Sequence, residues 1–554
     1  MLAWGQYSSV QDPKVMKRTI QRFEIHHQEL TPLSNNTIEN TLKLFDQGKY
    51  SEALDGCFKF LHTGDIRILL TLVQIYQYGL GTTLSLSEAE KYLIMAAAKD
   101  VTACFQLAEW YDHGIRGEPD HQKAYDYYTK AAQQQYNPAM LKLAGYLNDE
   151  KDPQYNPEEA FHIYKSIADD RSEIYPEASY QTGLHYLKGK GVEKNTKEAF
   201  RYISNAVRHN YAPAIYQLGL MYIDGDGVAL NQETAFKLMN QAASLNYPLA
   251  QYQLGKMYEE AIGTFPNGQR AYNWYSFALN LGCEKAAARM ASMLLDGTMV
   301  SKDYEKAFLL VSNGASNGDP ECMRVLSRIY GEGLGVKEDP HKSAELIKKA
   351  AQAGSIKAQR ILGLLYMQGR NEHIPRDIEK AVEWYTRSAE QGDQKAQYYL
   401  GVFYSDGKKI PTNYPLAQKW LTRLAENGHR EAMYNLGYLY ANAKLSEKPD
   451  YKKARYYYVE AAHLGQIDAR FELAKLYHTG VPGQDENGEN YFEKDDQLAY
   501  YYVYLIPDEY PNKEYPALLK EIEAAITPSE KADIQQQARM QMLNQVSVKI
   551  QRNT

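Results

Sequence analysis

Cysteine is scarce, four residues in a chain of 554. Cys57, Cys104, Cys283 and Cys322 stand 47, 179 and 39 residues apart, which excludes CxxC-type zinc or redox motifs and offers no disulfide framework. Long apolar runs are missing too. No window approaches the about 18 consecutive apolar residues of a spanning helix, so no membrane insertion is expected. The opening residues, MLAWGQYSSVQDPK, lack the basic stretch followed by an apolar one that marks an export signal. Together with the unpaired cysteines this points to a cytoplasmic location. Positive charge is not in excess: 62 Lys and Arg against 69 Asp and Glu give a net charge of −7, without the basic footprint of a dedicated nucleic-acid binder. Phenylalanine and tryptophan are few (14 and 5), whereas tyrosine is abundant (48). The core must therefore use many amphipathic rings.

What fills the chain is repetition, the first thing to read in any sequence of this length. The clearest unit runs from Ala214 to Ala250, and AQYQLGKMYEE begins the next copy at once. With the tyrosine of L-G-x-x-Y as anchor, equivalent positions are Tyr76, Tyr111, Leu147, Tyr186, Tyr222, Tyr258, Leu294, Tyr330, Tyr366, Tyr404, Tyr440 and Tyr477. Successive steps are 35, 36, 39, 36, 36, 36, 36, 36, 38, 36 and 37 residues.

Each copy resolves into two amphipathic helices. In the first, Ala214, Leu218 and Tyr222 form a stripe at i, i+4, i+8, and Gly219 removes a side chain where a neighbouring helix must come close. In the second, an alanine 13 residues beyond the anchor recurs in eight copies (Ala89, Ala124, Ala160, Ala199, Ala235, Ala271, Ala307 and Ala417). That constancy requires a fixed turn, and Gly189-Lys190-Gly191, Gly225-Asp226-Gly227 and Gly333-Leu334-Gly335 supply the left-handed residues it needs. Short loops make neighbours antiparallel, and a lone pair cannot bury both faces, so the copies must stack as a solenoid.

These residues resemble the Sel-one-like repeat, a branch of the tetratricopeptide-repeat superfamily, through A-x-x-x-L-G-x-x-Y-x-x-G-x-G-V followed by A-x-x-W-Y-x-x-A-A-x-x-G. The likeness runs from about residue 68 to 505. It implies an all-α fold, a right-handed superhelical α/α solenoid of about twelve helix-turn-helix repeats with atypical helical caps. It also implies an adaptor whose concave groove is lined largely by first helices. Residues 1–34 form an extension without repeat signal, 35–67 a tetratricopeptide-like capping pair around Gly48-Lys49-Tyr50-Ser51-Glu52-Ala53, and 506–554 a helical cap opened by the capping box Thr527-Pro528-Ser529-Glu530. Leu147 and Leu294 in place of the anchor tyrosine, and Asn442-Ala443 in place of the turn glycine, should leave those copies looser or differently packed.

Signatures of catalysis are nearly absent. Gly314-Ala315-Ser316-Asn317-Gly318 matches G-x-S-x-G but falls at the end of a second helix, not on a strand-to-helix elbow. Gly331-Glu332-Gly333-Leu334-Gly335 is placed as the interhelical turn rather than a dinucleotide loop. The sequence holds no G-x-x-x-x-G-K-[ST] and no H-E-x-x-H. Adjacent His26 and His27 diverge on a helix and suit solvent better than a metal. The twelfth copy carries an insertion, residues 480–497; counted from Asp485, Asn490 stands sixth and Asp496 twelfth, which fails the calcium-loop pattern and leaves a solvated acidic loop. No cofactor is expected.

Two features are candidates for partner binding. Tyr216, Tyr252, Tyr398 and Tyr434, with Phe105, Tyr180 and Phe471, recur two positions after the first alanine and form a ladder suited either to peptide capture or to packing between helices. Copies eight and nine break it with Arg324 and Arg360, and Arg328 follows one turn after Arg324. Three guanidinium groups could take a carboxylate, acidic peptide or phosphate, or be ion-paired locally, since Glu332 follows Arg328 by four. The sequence thus favours a non-enzymatic scaffold for a protein or peptide. The alternatives are a dedicated inhibitor or immunity-type partner of one toxin or enzyme, a hydrolase built on the surface, and an RNA-reading helical repeat. Partner identity and oligomeric state stay open.

Overall fold

A computed structural model describes residues 35–170, 172–370, 372–484, 490–507 and 509–553. His26 and His27, and Asp485 with the residues after it to 489, lie outside the described residues. The chain divides into two compact units, Met1–Pro266 and Asn267–Thr554. In the first, helices Asn35–Asp46 and Tyr50–Phe60 precede five pairs that run from Ile66–Tyr78 with Leu86–Ala97 to Ala212–Asp224 with Gln232–Ser244, and then Pro248–Glu260. The second opens with Gly268–Asn280 and continues through six pairs, from Lys285–Asp296 with Tyr304–Ser316 to Ile467–Thr479 with Asp496–Tyr504. Helices Tyr515–Ala525 and Pro528–Asn553 follow. Within each unit the helices up to Tyr515–Ala525 pack on their immediate neighbours in sequence, the arrangement of an α/α solenoid. In the second unit, first helices also touch first helices: Lys285–Asp296 meets Pro320–Glu332, which meets Ile356–Gln368, and Gln394–Asp406 meets Arg430–Ala441.

The repeat motif is explained by contact. The helical glycine of L-G-x-x-Y faces the residue four beyond the leading alanine of the second helix. A Cβ on Gly219 would sit 2.7 Å from Met239 Cε, and one on Gly437 would sit 2.6 Å from the Tyr458 ring. Ala199, Ala235, Ala307 and Ala417 are fully buried, since any larger side chain would push the pair apart. The turn uses two glycines differently. Gly189 and Gly225 end the first helix in the left-handed conformation. The second, at Gly191 (φ 68°), lies against the preceding repeat, where a Cβ would be 2.2 Å from the Pro157 carbonyl oxygen.

The same turn is locked by a pair of bonds repeated along the chain. Asn195 N–H donates to the carbonyl of anchor Tyr186, Asn231 to that of Tyr222 and Asp339 to that of Tyr330, each at 2.9 Å. These Asn and Asp residues then cap the second helix, their side-chain oxygens accepting from the N–H three residues on (Glu198, Thr234 and Lys342). The anchor backbone thereby positions the cap, and the cap starts the helix.

Departures from the motif have local causes. Leu147 is buried as a plain apolar anchor, while the ring one residue earlier, Tyr146, donates its hydroxyl to Asp112 of the preceding copy. Leu294 sits in a helix where Ala287, Ala288 and Ala291 are all buried. Ala443 takes a positive φ of 51° without glycine. The insertion of the twelfth copy is not simply a solvated acidic loop: Val481–Gln484 and Asn490–Phe492 form an antiparallel ladder, Val481 opposite Phe492 and Gln484 opposite Asn490. Phe492 is buried, with its ring 5.1 Å from Tyr477. An apolar side chain at the end of a polar insertion was available to pin it, which a count of charges conceals.

At the C-terminus the capping box is reciprocal: Thr527 N–H donates to Glu530 Oε2 at 2.7 Å, and Glu530 N–H donates to Thr527 Oγ1 at 3.4 Å. The long helix then lies on the last second helix through buried Ile534 and Ala538, with Gln535 and Arg539 donating to the Tyr500 and Tyr504 hydroxyls. Ser316 closes its helix and donates to the Ser312 carbonyl, so the G-x-S-x-G match is a helix end.

Candidate functional site

The aromatic ladder has a geometric partner that spacing along one helix does not reveal. Four of the rungs meet the residue that opens the next repeat's first helix. Tyr180 lies 5.6 Å from Tyr211, Tyr216 lies 5.5 Å from Tyr247, and Phe105 lies 5.5 Å from Tyr136, all with steeply inclined rings. Tyr398 stacks on His429 at 5.2 Å. Such ring pairs contribute about 0.5–1.5 kcal/mol beyond area burial. Tyr252 occupies the same position and is half-buried. Tyr434 turns to its own pair, its ring 6.0 Å from Tyr458, because Gln466 opens the following helix.

Copies eight and nine fill the slot with charge. Arg360 Nε donates to Asp393 Oδ2 at 3.1 Å, and Asp393 opens the next first helix while capping it through Ala396 N–H. Arg324 Nε donates to Glu321 at 2.9 Å, and the other oxygen of Glu321 accepts from Ser355 Oγ, the opening residue of the next copy, at 2.5 Å. The side chains of Arg324 and Arg360 are only 16% and 21% exposed. Arg328 points the other way, bridging Asp296 at 2.6 Å and Glu332 at 3.2 Å. The three guanidinium groups therefore do not converge on one anion; each is engaged by carboxylates of the chain. The bound cations hold the Glu321 carboxyl below its usual range against the opposing effect of its burial.

Several polar residues were invisible to motif reading. Asp112 accepts from the Tyr128 hydroxyl at 3.2 Å and from Tyr146, with His121 Nδ1 also 3.2 Å away. His185 is buried between Phe161 and Tyr164; its Nδ1 donates to the Lys190 carbonyl at 2.6 Å, and its Nε2 has no partner among the described residues. Burial pushes its pKa down, so the ring is neutral. Gln251, Gln359 and Gln397 are buried and donate to the carbonyls of Ala243, Ala351 and Ala389, eight residues back in each case. Glutamine after the first alanine was the available signal.

On the first helices of the second unit, the register position two before the anchor carries Arg328, Leu364, Val402, Tyr438 and Lys475 in consecutive copies, Arg328 and Val402 half-buried. Leu364 and Tyr438 are 39% and 44% exposed. Among the described residues no group of three or more His, Cys, Asp or Glu is placed to hold a metal ion, and no helix is long and apolar enough to cross a membrane.

A family model for the Sel1 repeat matches twelve times, from 74–101 through 467–504. The chain belongs to the Sel1 repeat family. No curated protein matches it at the level of the full sequence. Among solved structures it is similar to a protective antigen of uropathogenic Escherichia coli displaying an SLR fold, at 26% identity over 84% of this chain and 97% of that one, TM-score 0.43. A Sel1 repeat protein from Oxalobacter formigenes is 28% identical over 45% of this chain and 96% of that one, TM-score 0.40. An immunity protein from Pseudomonas aeruginosa is 20% identical over 47% and 82%, TM-score 0.29. Sel1 repeats belong with the tetratricopeptide-like helical arrays, which commonly serve as scaffolds for protein interaction.

Proposed function

We propose that this Sel1 repeat protein is a non-enzymatic scaffold or adaptor that holds a protein or peptide along its first helices. The observation that supports this reading is the contact between successive first helices at three places in the second unit, which we take as the mark of the inner side of a curved stack. Equivalent positions then line up, one per repeat, and a long partner can touch many of them at once. The rungs Tyr398 and Tyr434 and the arginines Arg324, Arg328 and Arg360 stand on those helices, and Tyr216 and Tyr252 hold the same register on first helices of the first unit. Their pairings stiffen the stack, and a stiff surface loses little entropy on binding. Arg328, with a side chain 38% exposed, is the arginine best placed to exchange an internal carboxylate for a partner's.

The test is site-specific photo-crosslinking in the full chain during affinity capture from its own cell extract. A crosslinking residue is placed at Leu364 or Val402 on first helices, or at Gln418 or Arg423 on the outer side of a second helix. Crosslinks to a common partner confined to the first-helix sites support the reading. Crosslinks confined to the second-helix sites overturn it.

A further inference from the structure

Arg470 stands where Gln251, Gln359 and Gln397 stand in their copies, directly after the first alanine. The structural duty of that slot is one bond, since each glutamine donates to the carbonyl eight residues back. Arg470 performs it, Nε to the Ala462 carbonyl at 3.4 Å, and adds Nη1 to the Leu505 carbonyl at 2.6 Å. The remaining N–H groups of its five are not spoken for by these bonds, and no carboxylate of the described residues pairs with it. A half-buried cation without a counter-charge is costly, and burial together with the charge of Arg430 pushes its pKa down. The slot asks for a neutral donor, and the chain places a guanidinium there.

A second guanidinium comes to the same spot. Arg430 opens helix Arg430–Ala441; its Nε donates to Glu431 at 2.9 Å and its Nη1 reaches the Leu464 carbonyl at 3.5 Å. Next to Leu464 lies Gly465, with a φ of 85°. A Cβ built on it would have Arg430 Nη1 at 3.8 Å and Arg470 Nη2 at 3.9 Å, with no third atom of the described residues beyond its chain neighbours within 4 Å. Two guanidinium groups thus flank one open point over bare backbone, and only one of them is paired with an acid. Asp468, two residues before Arg470, already accepts from Gln466 and Tyr510. Planar forks that approach from two directions suit an anion whose oxygens point several ways, as those of a phosphate do, whereas a carboxylate presents a single edge. We propose that Arg430 and Arg470 form, over Gly465, a binding site for a phosphate group, carried either as the free ion or on a phosphorylated side chain of another protein. The site does not depend on the scaffold reading above.

The test is isothermal titration of the full chain with inorganic phosphate, with the tripeptide Gly-phosphoserine-Gly and with acetate, all at one ionic strength because salt screens exposed ion contacts. Saturable binding of inorganic phosphate, of the phosphopeptide or of both is expected, and the tighter arm names the carrier; acetate, with one charge and one edge, should bind at least about tenfold more weakly. Arg470→Gln installs the residue of the other copies and keeps a donor for the Ala462 carbonyl. It should therefore hold a Tm close to the parent's while binding phosphate at least about tenfold more weakly. Arg430→Gln, at a side chain 50% exposed, should weaken binding likewise and gives the answer if Arg470→Gln unfolds. The proposal is overturned if neither phosphate probe binds the parent, if acetate matches phosphate, or if the folded variants keep the parent's affinity. The last result would leave the two arginines as caps for the carbonyl ends of second helices. None of these outcomes touches the crosslinking test, which probes other helices' faces.

Discussion

Two stretches of the stack solve the same joining problem with different chemistry. In the first, Tyr180 meets Tyr211 and Tyr216 meets Tyr247, ring to ring. In the second, Arg360 meets Asp393 and the Arg324–Glu321 pair reaches Ser355. The slot is the same in both, formed by the residue two after the first alanine of one copy and the residue that opens the next copy's first helix. Only the matched pair changes. Where the rung is Phe105, Tyr180 or Tyr216, the opening residue is a tyrosine that makes no side-chain cap; where it is arginine, the opening residue is an Asp or Ser that caps its helix as well. The ladder and its break are thus two versions of one joint.

The largest effect is expected where the joint rests on rings. Tyr180→Ala should cost about 3 kcal/mol and raise amide exchange in the flanking helices Pro176–Lys188 and Ala212–Asp224. A loss under about 1 kcal/mol, measured by urea unfolding, would show that the ring pair is incidental. Arg360→Ala should cost less, about 2 kcal/mol, because it leaves Asp393 partly desolvated yet still bonded to Ala396 N–H. Raising the salt concentration to 1 M should weaken the Arg360–Asp393 and Arg324–Glu321 joints and spare the ring joints of the first unit, which hydrogen exchange resolves helix by helix. Asn195→Ala removes a helix cap common to both chemistries and should cost about 1 kcal/mol, with exchange rising in Thr196–Arg208. The smallest change concerns acid. Buried neutral His185 has a depressed pKa in the folded state, so the unfolded chain binds the extra proton first. Stability should fall as pH drops below the unfolded value of about 6.5, and His185→Gln should flatten that slope in pH-dependent unfolding.

Much of the architecture was legible because the motif residues are steric necessities. Gly219, Ala235 and Gly225 each occupy a place where a larger side chain or a different φ would break the pair. The caps could have been read as well: Asn195 and Asn231 stand nine residues beyond their anchors, as Asp339 does. The joint was harder. Tyr180 and Tyr211, or Arg324 and Ser355, are 31 residues apart, and only the stack brings them together, so a scan of one helix face sees half of each pair. The pinning of the insertion by Phe492 and the shift from Leu147 to Tyr146 depend on neighbours the local pattern does not name.

The most direct measurement is a double-mutant cycle that converts one joint into the other, with Arg360→Tyr, Asp393→Tyr and the two together, read by equilibrium unfolding. If rung and opening residue form one matched unit, each single change should destabilise and the double variant should recover at least about 1 kcal/mol of the summed loss. Additive losses within about 0.5 kcal/mol would contradict a joint shared between neighbouring repeats.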